Sequence, residues 1–215
     1  MSRIDDRTID DDRALAAALG LAPPPPTPED AAAAARAAAR FAAGAPADAW
    51  YAVEQTPVGT LVAVATPRGL ARLAYADWGG GVDAVLDELA ARLSPRVVQA
   101  PGRLDAVRRE LEEYFAGRRR AFDLPIDWSL TTPFARRVLQ ATAAIPFGET
   151  STYAAVAAAA GSPRGSRAAG NALGSNPVPV VVPCHRVLRS GGVLGGYTGG
   201  LHRKELLLRL EGVLL

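Results

Sequence analysis

The chain has 215 residues, 49% of them apolar, a formal charge of +2 and a single cysteine. That apolar content excludes a wholly disordered chain, and one cysteine excludes an intramolecular disulfide, which suits a reducing compartment. No apolar run approaches the ~20 residues that span a bilayer, and Met1-Ser2-Arg3-Ile4 does not open a secretory signal, so a cytoplasmic protein without membrane attachment is expected.

Residues 1–48 read as an Ala/Pro-rich flexible tail. Five aspartates cluster between Asp5 and Asp12, Pro23–Pro26 form a stiff spacer, and Ala31–Arg40 is nearly pure alanine with few large side chains to bury. A folded unit begins near Trp50 and is expected to run over 49–128 as a small α/β domain. Val58–Ala65 and Leu70–Tyr75, rich in β-formers around the Pro67-Arg68-Gly69 turn, predict a hairpin. Helical spacing recurs in Val82–Leu93 and Leu104–Phe115, and a short strand is predicted around Phe122 and Leu124. This half has no histidine, and its carboxylates are assigned to solvent faces.

Residues 129–215 read as a second, mostly helical domain, giving an α+β protein. Phe134–Ile145 is a helical pattern stopped by Pro146. Gly148–Ser151 offers caps for a helix through Ala160, Gly161-Ser162-Pro163 breaks it, and a third helix spans Arg164–Leu173. The last two form a helix-turn-helix candidate within a winged-helix-like domain; many such hairpins bind nothing. Ala168, Ala169, Gly170 and Ala172 leave the third helix nearly bare beside Arg167. Such a helix either approaches DNA closely or packs tightly on another helix. The charge is unevenly spread: residues 1–130 carry 15 basic against 19 acidic side chains (net −4), and residues 131–215 carry 9 against 3 (net +6). Either a polyanion such as DNA meets the C-terminal part, or the asymmetry is chance in an arginine-rich chain.

The chemistry concentrates at Pro183-Cys184-His185-Arg186-Val187, reached through Asn176-Pro177-Val178-Pro179-Val180. A lone cysteine is often a small buried hydrophobe. A thiol beside an imidazole is also a candidate nucleophile, since the imidazole can take its proton, and the imidazole then needs an orienting acceptor. Residues 191–200 lack the Gly-Lys-Ser/Thr ending of a phosphate-binding loop. His202 is expected to face solvent. One cysteine and two histidines make a poor zinc set, so no metal is expected.

Asn176-Pro177, Pro183–Val187 and the later Gly196-Tyr197-Thr198-Gly199-Gly200 resemble the active site of the O6-alkylguanine-DNA alkyltransferases. Ile145–Thr150, Tyr153, Arg167–Gly170, Lys204 and Glu211-Gly212 match in order. The resemblance is gap-free over roughly 145–212, loose over 57–127, and does not cover the tail. It implies direct, stoichiometric DNA repair: one alkyl group moves from O6 of guanine, with O4 of thymine left open, to Cys184, without cofactor. His185 would activate the thiol through a water, Glu211 would orient the imidazole, and Asn176 would brace the turn. Tyr153 would help swing the nucleotide out, and Arg167 would fill the gap. Thr198, Tyr197, Leu173 and the carbonyls of Cys184 and Val187 would receive the base. The third helix, through Arg167, Ala168, Ala169, Gly170 and Ala172, would enter the minor groove of double-stranded DNA. The implied protein is a monomer, with cooperative binding along DNA left open. The physics agrees, because O6 lies in the base-pairing edge and the nucleotide must leave the stack to meet a thiol. Three other readings remain: a non-catalytic lesion-binding protein, a cysteine hydrolase using Cys184 and His185, and a helix-turn-helix transcription regulator.

Overall fold

The computed structural model describes residues 47–77 and 80–214. The expected tail up to residue 46, including its alanine run, lies outside the described residues. Four strands, β1 (Ala49–Thr56), β2 (Gly59–Thr66), β3 (Gly69–Tyr75) and β4 (Val97–Gln99), form one sheet in the order β3-β2-β1-β4. The predicted hairpin is β2–β3. Strand β1, where the sequence marks only the start of the folded unit, pairs antiparallel with β2 from Trp50↔Ala65 to Thr56↔Gly59, and β4 joins it in parallel.

Side chains alternate along a strand, so β2 serves two cores at once. Val62 and Val64 pack with Val85 and Leu89 of helix α1 (Gly81–Arg92) on one face. Leu61 and Ala63 point the other way, into a larger cluster containing Val107 and Leu111 of α2 (Asp105–Phe115). That cluster continues without a break into Val138, Leu139, Val156 and Leu207 of the second half. Each fully buried Leu or Val in it contributes about 1.5–3 kcal/mol.

Two expectations for the first half are corrected. No strand forms around Phe122 and Leu124. Pro125 has no N–H to extend a ladder, and the chain makes only an isolated bridge between Ile126 and Leu70, while Phe122 packs its ring against Tyr114 at 5.2 Å. The carboxylates are also not all at the surface, since Glu110 and Asp127 are buried. Asp127 accepts hydrogen bonds from Thr66 and the Ser129 N–H and pairs with Arg68. Burial pushes its carboxyl up, but these donors outweigh it and hold the group at about 2.

The second half opens with α3 (Pro133–Ala143), capped by the Thr132 hydroxyl, with Pro133 where a missing N–H costs nothing. Helix α4 (Tyr153–Ala159) is capped by Thr152, one residue beyond the expected capping segment, and α5 (Ser166–Gly174) packs on α3 and α4. Ser151–Thr152 (β5) pairs in parallel with Val187–Leu188 (β6). That small ladder fixes the start of α4 beside the cysteine turn. Helix α6 (Leu201–Leu210) closes the fold, and the α+β class holds.

Candidate active site

Cys184 is presented by a constrained turn. Asn176 Oδ1 accepts from the Val178 N–H at 3.0 Å, while its Nδ2 donates to the Val182 carbonyl at 2.8 Å and to Cys184 Sγ at 3.2 Å. Between these anchors Val180 sits at φ 74°, a left-handed conformation that costs a β-branched residue about 1–3 kcal/mol. Pro177, Pro179 and the Asn176 bonds hold it there. The turn runs into a single 3-10 turn, Cys184–Arg186, all three residues of which are buried.

His185 is fully buried, and its Nε2 lies 2.9 Å from Glu211 Oε1. Glu211 also accepts from Tyr114 Oη at 2.6 Å, from Arg186 Nε and Nη2 at 2.8 and 2.9 Å, and from the Gly148 N–H at 3.3 Å. Burial opposes its charge, but the hydrogen bonds from His185 and Arg186 prevail and hold the carboxyl at about 2. An ionised Glu211 assigns the Nε2 proton to the histidine, which leaves Nδ1 as the bare acceptor. Nδ1 is buried and has no hydrogen-bond partner among the described residues. Burial lowers the histidine's own pKa, against the pull of Glu211, so the ring is neutral and can take a proton.

The thiol is not held as a ready thiolate. Burial raises its pKa, and the Asn176 amide and the Lys204 ammonium offset only part of that rise. Lys204 is fully buried, donates to the Val187 carbonyl at 2.6 Å, and is lowered to about 8 by desolvation. A proton acceptor is therefore needed during the reaction itself.

Cys184 opens onto a cleft of about 650 Å³ walled by Tyr153, Arg167, Gly170, Leu173, Tyr197 and Thr198. The structure thus gathers most of the predicted base-pocket residues. Val187 does not line the cleft: it is fully buried and its carbonyl is engaged by Lys204. The Cys184 carbonyl likewise accepts from the Val187 N–H. The bare face assigned to α5 is corrected in part. Ala169 and Ala172 are buried against α3 and α4, whereas Arg167 and Ala168 are exposed and Gly170 is half-exposed at the cleft. At 100° per residue, Arg167, Gly170, Asn171 and Gly174 share the outer face, so Asn171 belongs to the set and the two alanines do not. That periodicity was readable in the sequence.

Other site residues carry no sequence signal. Tyr75 Oη meets Tyr197 Oη at 2.8 Å, from β3 in the other half. Arg203, lying 4.4 Å over the Tyr75 ring, donates to the carbonyls of Val58 and Gly199 and pairs with Asp77. Loop 195–200 is pressed so closely that a Cβ at Gly195 would strike the Tyr153 hydroxyl, and one at Gly199 the Tyr75 ring. Arg189, five residues past the cysteine, adds a cation to the cleft wall. His202 is exposed, as read. Among the described residues no cluster of His, Cys, Asp or Glu is placed to hold a metal ion, and no helix is long and apolar enough to cross a membrane.

Comparison with known proteins agrees with this geometry. Residues 50–128 match the family model for the 6-O-methylguanine DNA methyltransferase ribonuclease-like domain, and 133–213 the model for its DNA binding domain. The constitutive methylated-DNA–protein-cysteine methyltransferase of Bacillus subtilis is 36% identical over 167 residues, 76% of this chain and 96% of the relative. The Methanosarcina barkeri methylated-DNA–protein-cysteine methyltransferase is 35% identical over 75% of this chain and 96% of its own length. Among solved structures, Mycobacterium tuberculosis OGT in complex with DNA superposes with a TM-score of 0.65 at 35% identity, covering 75% of this chain and 92% of that one. At such identity over nearly the whole length of these relatives, the chain belongs to the 6-O-methylguanine DNA methyltransferase family.

Proposed function

We propose that this protein repairs DNA by moving a single alkyl group from O6 of guanine onto Cys184 Sγ, as a methylated-DNA–[protein]-cysteine S-methyltransferase that acts once per molecule. The observation that carries the reading is a buried thiol bonded to Asn176, beside a neutral histidine whose one free nitrogen is its acceptor, opening onto a cleft against α5. In the reaction the thiol proton passes to His185 Nδ1, directly or through a water, while Sγ attacks the alkyl carbon. Glu211 balances the imidazolium. The C–O6 bond breaks toward oxygen, and the developing guanine anion is met by the Thr198 N–H and the Tyr153 hydroxyl. A thioether remains, which no simple hydrolysis reverses, so the protein is consumed.

The same reading assigns 49–128 and 129–215 to separate domains, with the second holding DNA. Helix α5 lies in the minor groove, Arg167 occupies the space of the flipped nucleotide, and the basic surplus of 131–215 neutralises phosphate. It takes the protein to act as a cytoplasmic monomer. Intact mass after mixing with a short duplex containing O6-methylguanine tests the proposal. A gain of one methyl group on Cys184, absent in Cys184→Ser, is expected. Reversible lesion binding without mass gain would move the protein to the lesion-binding class, and repeated turnover on an ester or amide would favour a hydrolase.

A further inference from the structure

We propose that Tyr114, contributed by α2 in the sheet-bearing half, is a positioning residue for alkyl transfer that acts through Glu211 on the basicity of His185. The inference rests on the reading of Cys184 as the alkyl acceptor. Tyr114 is fully buried, and its hydroxyl is aimed by an aromatic packing in which its ring lies 5.3 Å from Phe115, 5.2 Å from Phe122 and 6.2 Å from Phe147. The phenol donates to Glu211 Oε1, the same oxygen that receives His185 Nε2 and Arg186 Nη2. Three donors on one carboxylate oxygen share its acceptor capacity, so each weakens the pull on the other two.

Among the described residues the charged and titratable groups around His185 come from several elements. Cys184 and Arg186 stand on its own turn. Lys204 comes from α6, Glu211 from just beyond that helix, Tyr197 from the loop before it at a ring distance of 6.5 Å, and Tyr114 from α2. Arg186 and Lys204 oppose protonation of the imidazole and Glu211 favours it. The Gly148 N–H meets Oε2, so among the described residues Tyr114 is the neutral donor besides His185 itself on Oε1, and it is no cation to His185. Its removal therefore leaves the cations in place and strengthens the Glu211–imidazole bond. The histidine then protonates at higher pH, and a protonated imidazole cannot accept the thiol proton.

The test is the pH dependence of single-turnover methyl transfer from an O6-methylguanine duplex, in the unaltered protein and in Tyr114→Phe. The acid limb should move upward by about half to one pH unit, a three- to tenfold loss of rate on that limb, with little change at pH 8. An unchanged acid limb accompanied only by a lower Tm would overturn the proposal and leave Tyr114 a packing residue. Should Tyr114→Phe fail to fold, Tyr114→3-fluorotyrosine keeps the shape and strengthens the donor. It should move the limb downward, and no movement would again overturn the proposal. NMR titration of the His185 ring reads the same shifts without DNA. If the unaltered protein transfers no methyl group, the functional reading falls while this titration still decides the role of Tyr114.

Discussion

The two halves of the molecule handle buried charge in opposite ways. In 49–128 the interior is an alternating sheet, and its two buried acids are neutralised locally: Glu110 by the Asp123 N–H and Arg119, Asp127 by Thr66, Ser129 and Arg68. Neither lines the cleft. In 133–214 five acidic or basic side chains besides the Cys184 thiol, His185, Arg186, Arg203, Lys204 and Glu211, lie inside. Of these, His185 and Arg186, which follow the cysteine in sequence, form one connected pair system with Glu211. Ionic groups in a low-dielectric interior cost several kcal/mol each unless fully paired. The first half therefore behaves as a scaffold that also lends two phenols, Tyr75 and Tyr114, while the second spends stability on a site.

The comparison breaks outright if Cys184→Ala retains methyl acceptance, because the buried charge would then serve no chemistry; complete loss by mass spectrometry is expected. The next largest effect is on stability. Glu211→Ala strands Arg186 and the imidazole and should cost about 3–5 kcal/mol in denaturant unfolding. A substitution at the locally paired Glu110, such as Glu110→Gln, should cost less. Gly195→Ala pushes against the Tyr153 hydroxyl, so transfer should slow by about 10- to 100-fold, or about 1.4–2.7 kcal/mol, with Tm little changed. Arg203→Met leaves the Val58 and Gly199 carbonyls without their donor and should destabilise by about 1–3 kcal/mol.

The same buried charge also shapes the pH profile of stability. Glu211 is held near 2, below its unfolded value of 4.5, so its contribution is complete above pH 4.5 and drains as pH falls toward 2. His185 is lowered as well, so the unfolded chain takes up its proton first and stability begins to fall below about pH 6.5. Lys204 runs the other way at high pH: with a folded value near 8 against 10.5 unfolded, it adds stability as pH rises between them. Thermal unfolding from pH 3 to 10 should show the acid losses in two steps. Glu211→Gln should shrink the lower one and leave the part that Asp127 contributes.

Much of this was legible beforehand because it depends on local chemistry. The β2–β3 hairpin follows from β-formers around Pro67-Arg68-Gly69, and α3 from an apolar period ended by Pro146. Cys184 and His185 stand out as a reactive pair from their own chemistry, whereas the roles of Asn176 and Glu211 come from the family resemblance. The face of α5 follows from helical period and not from the run of small residues, because that period puts Ala169 and Ala172 in the core. Around Phe122 the strand propensity is overridden by Pro125, which has no N–H to donate, and only an isolated bridge forms at Ile126.

What the sequence determined by itself is the identity of the nucleophile, its neighbouring base and the stiff turn between Asn176 and Cys184, since adjacent residues cannot be far apart. What only the tertiary structure decided is everything that crosses long separations: Tyr114 on Glu211 across 97 residues, Tyr75 on Tyr197 across 122, and Arg203 on Val58 across 145. It also decided the protonation states. The raised thiol, the lowered imidazole and the lowered carboxylate follow from desolvation and from donors that converge only after the chain has closed on itself.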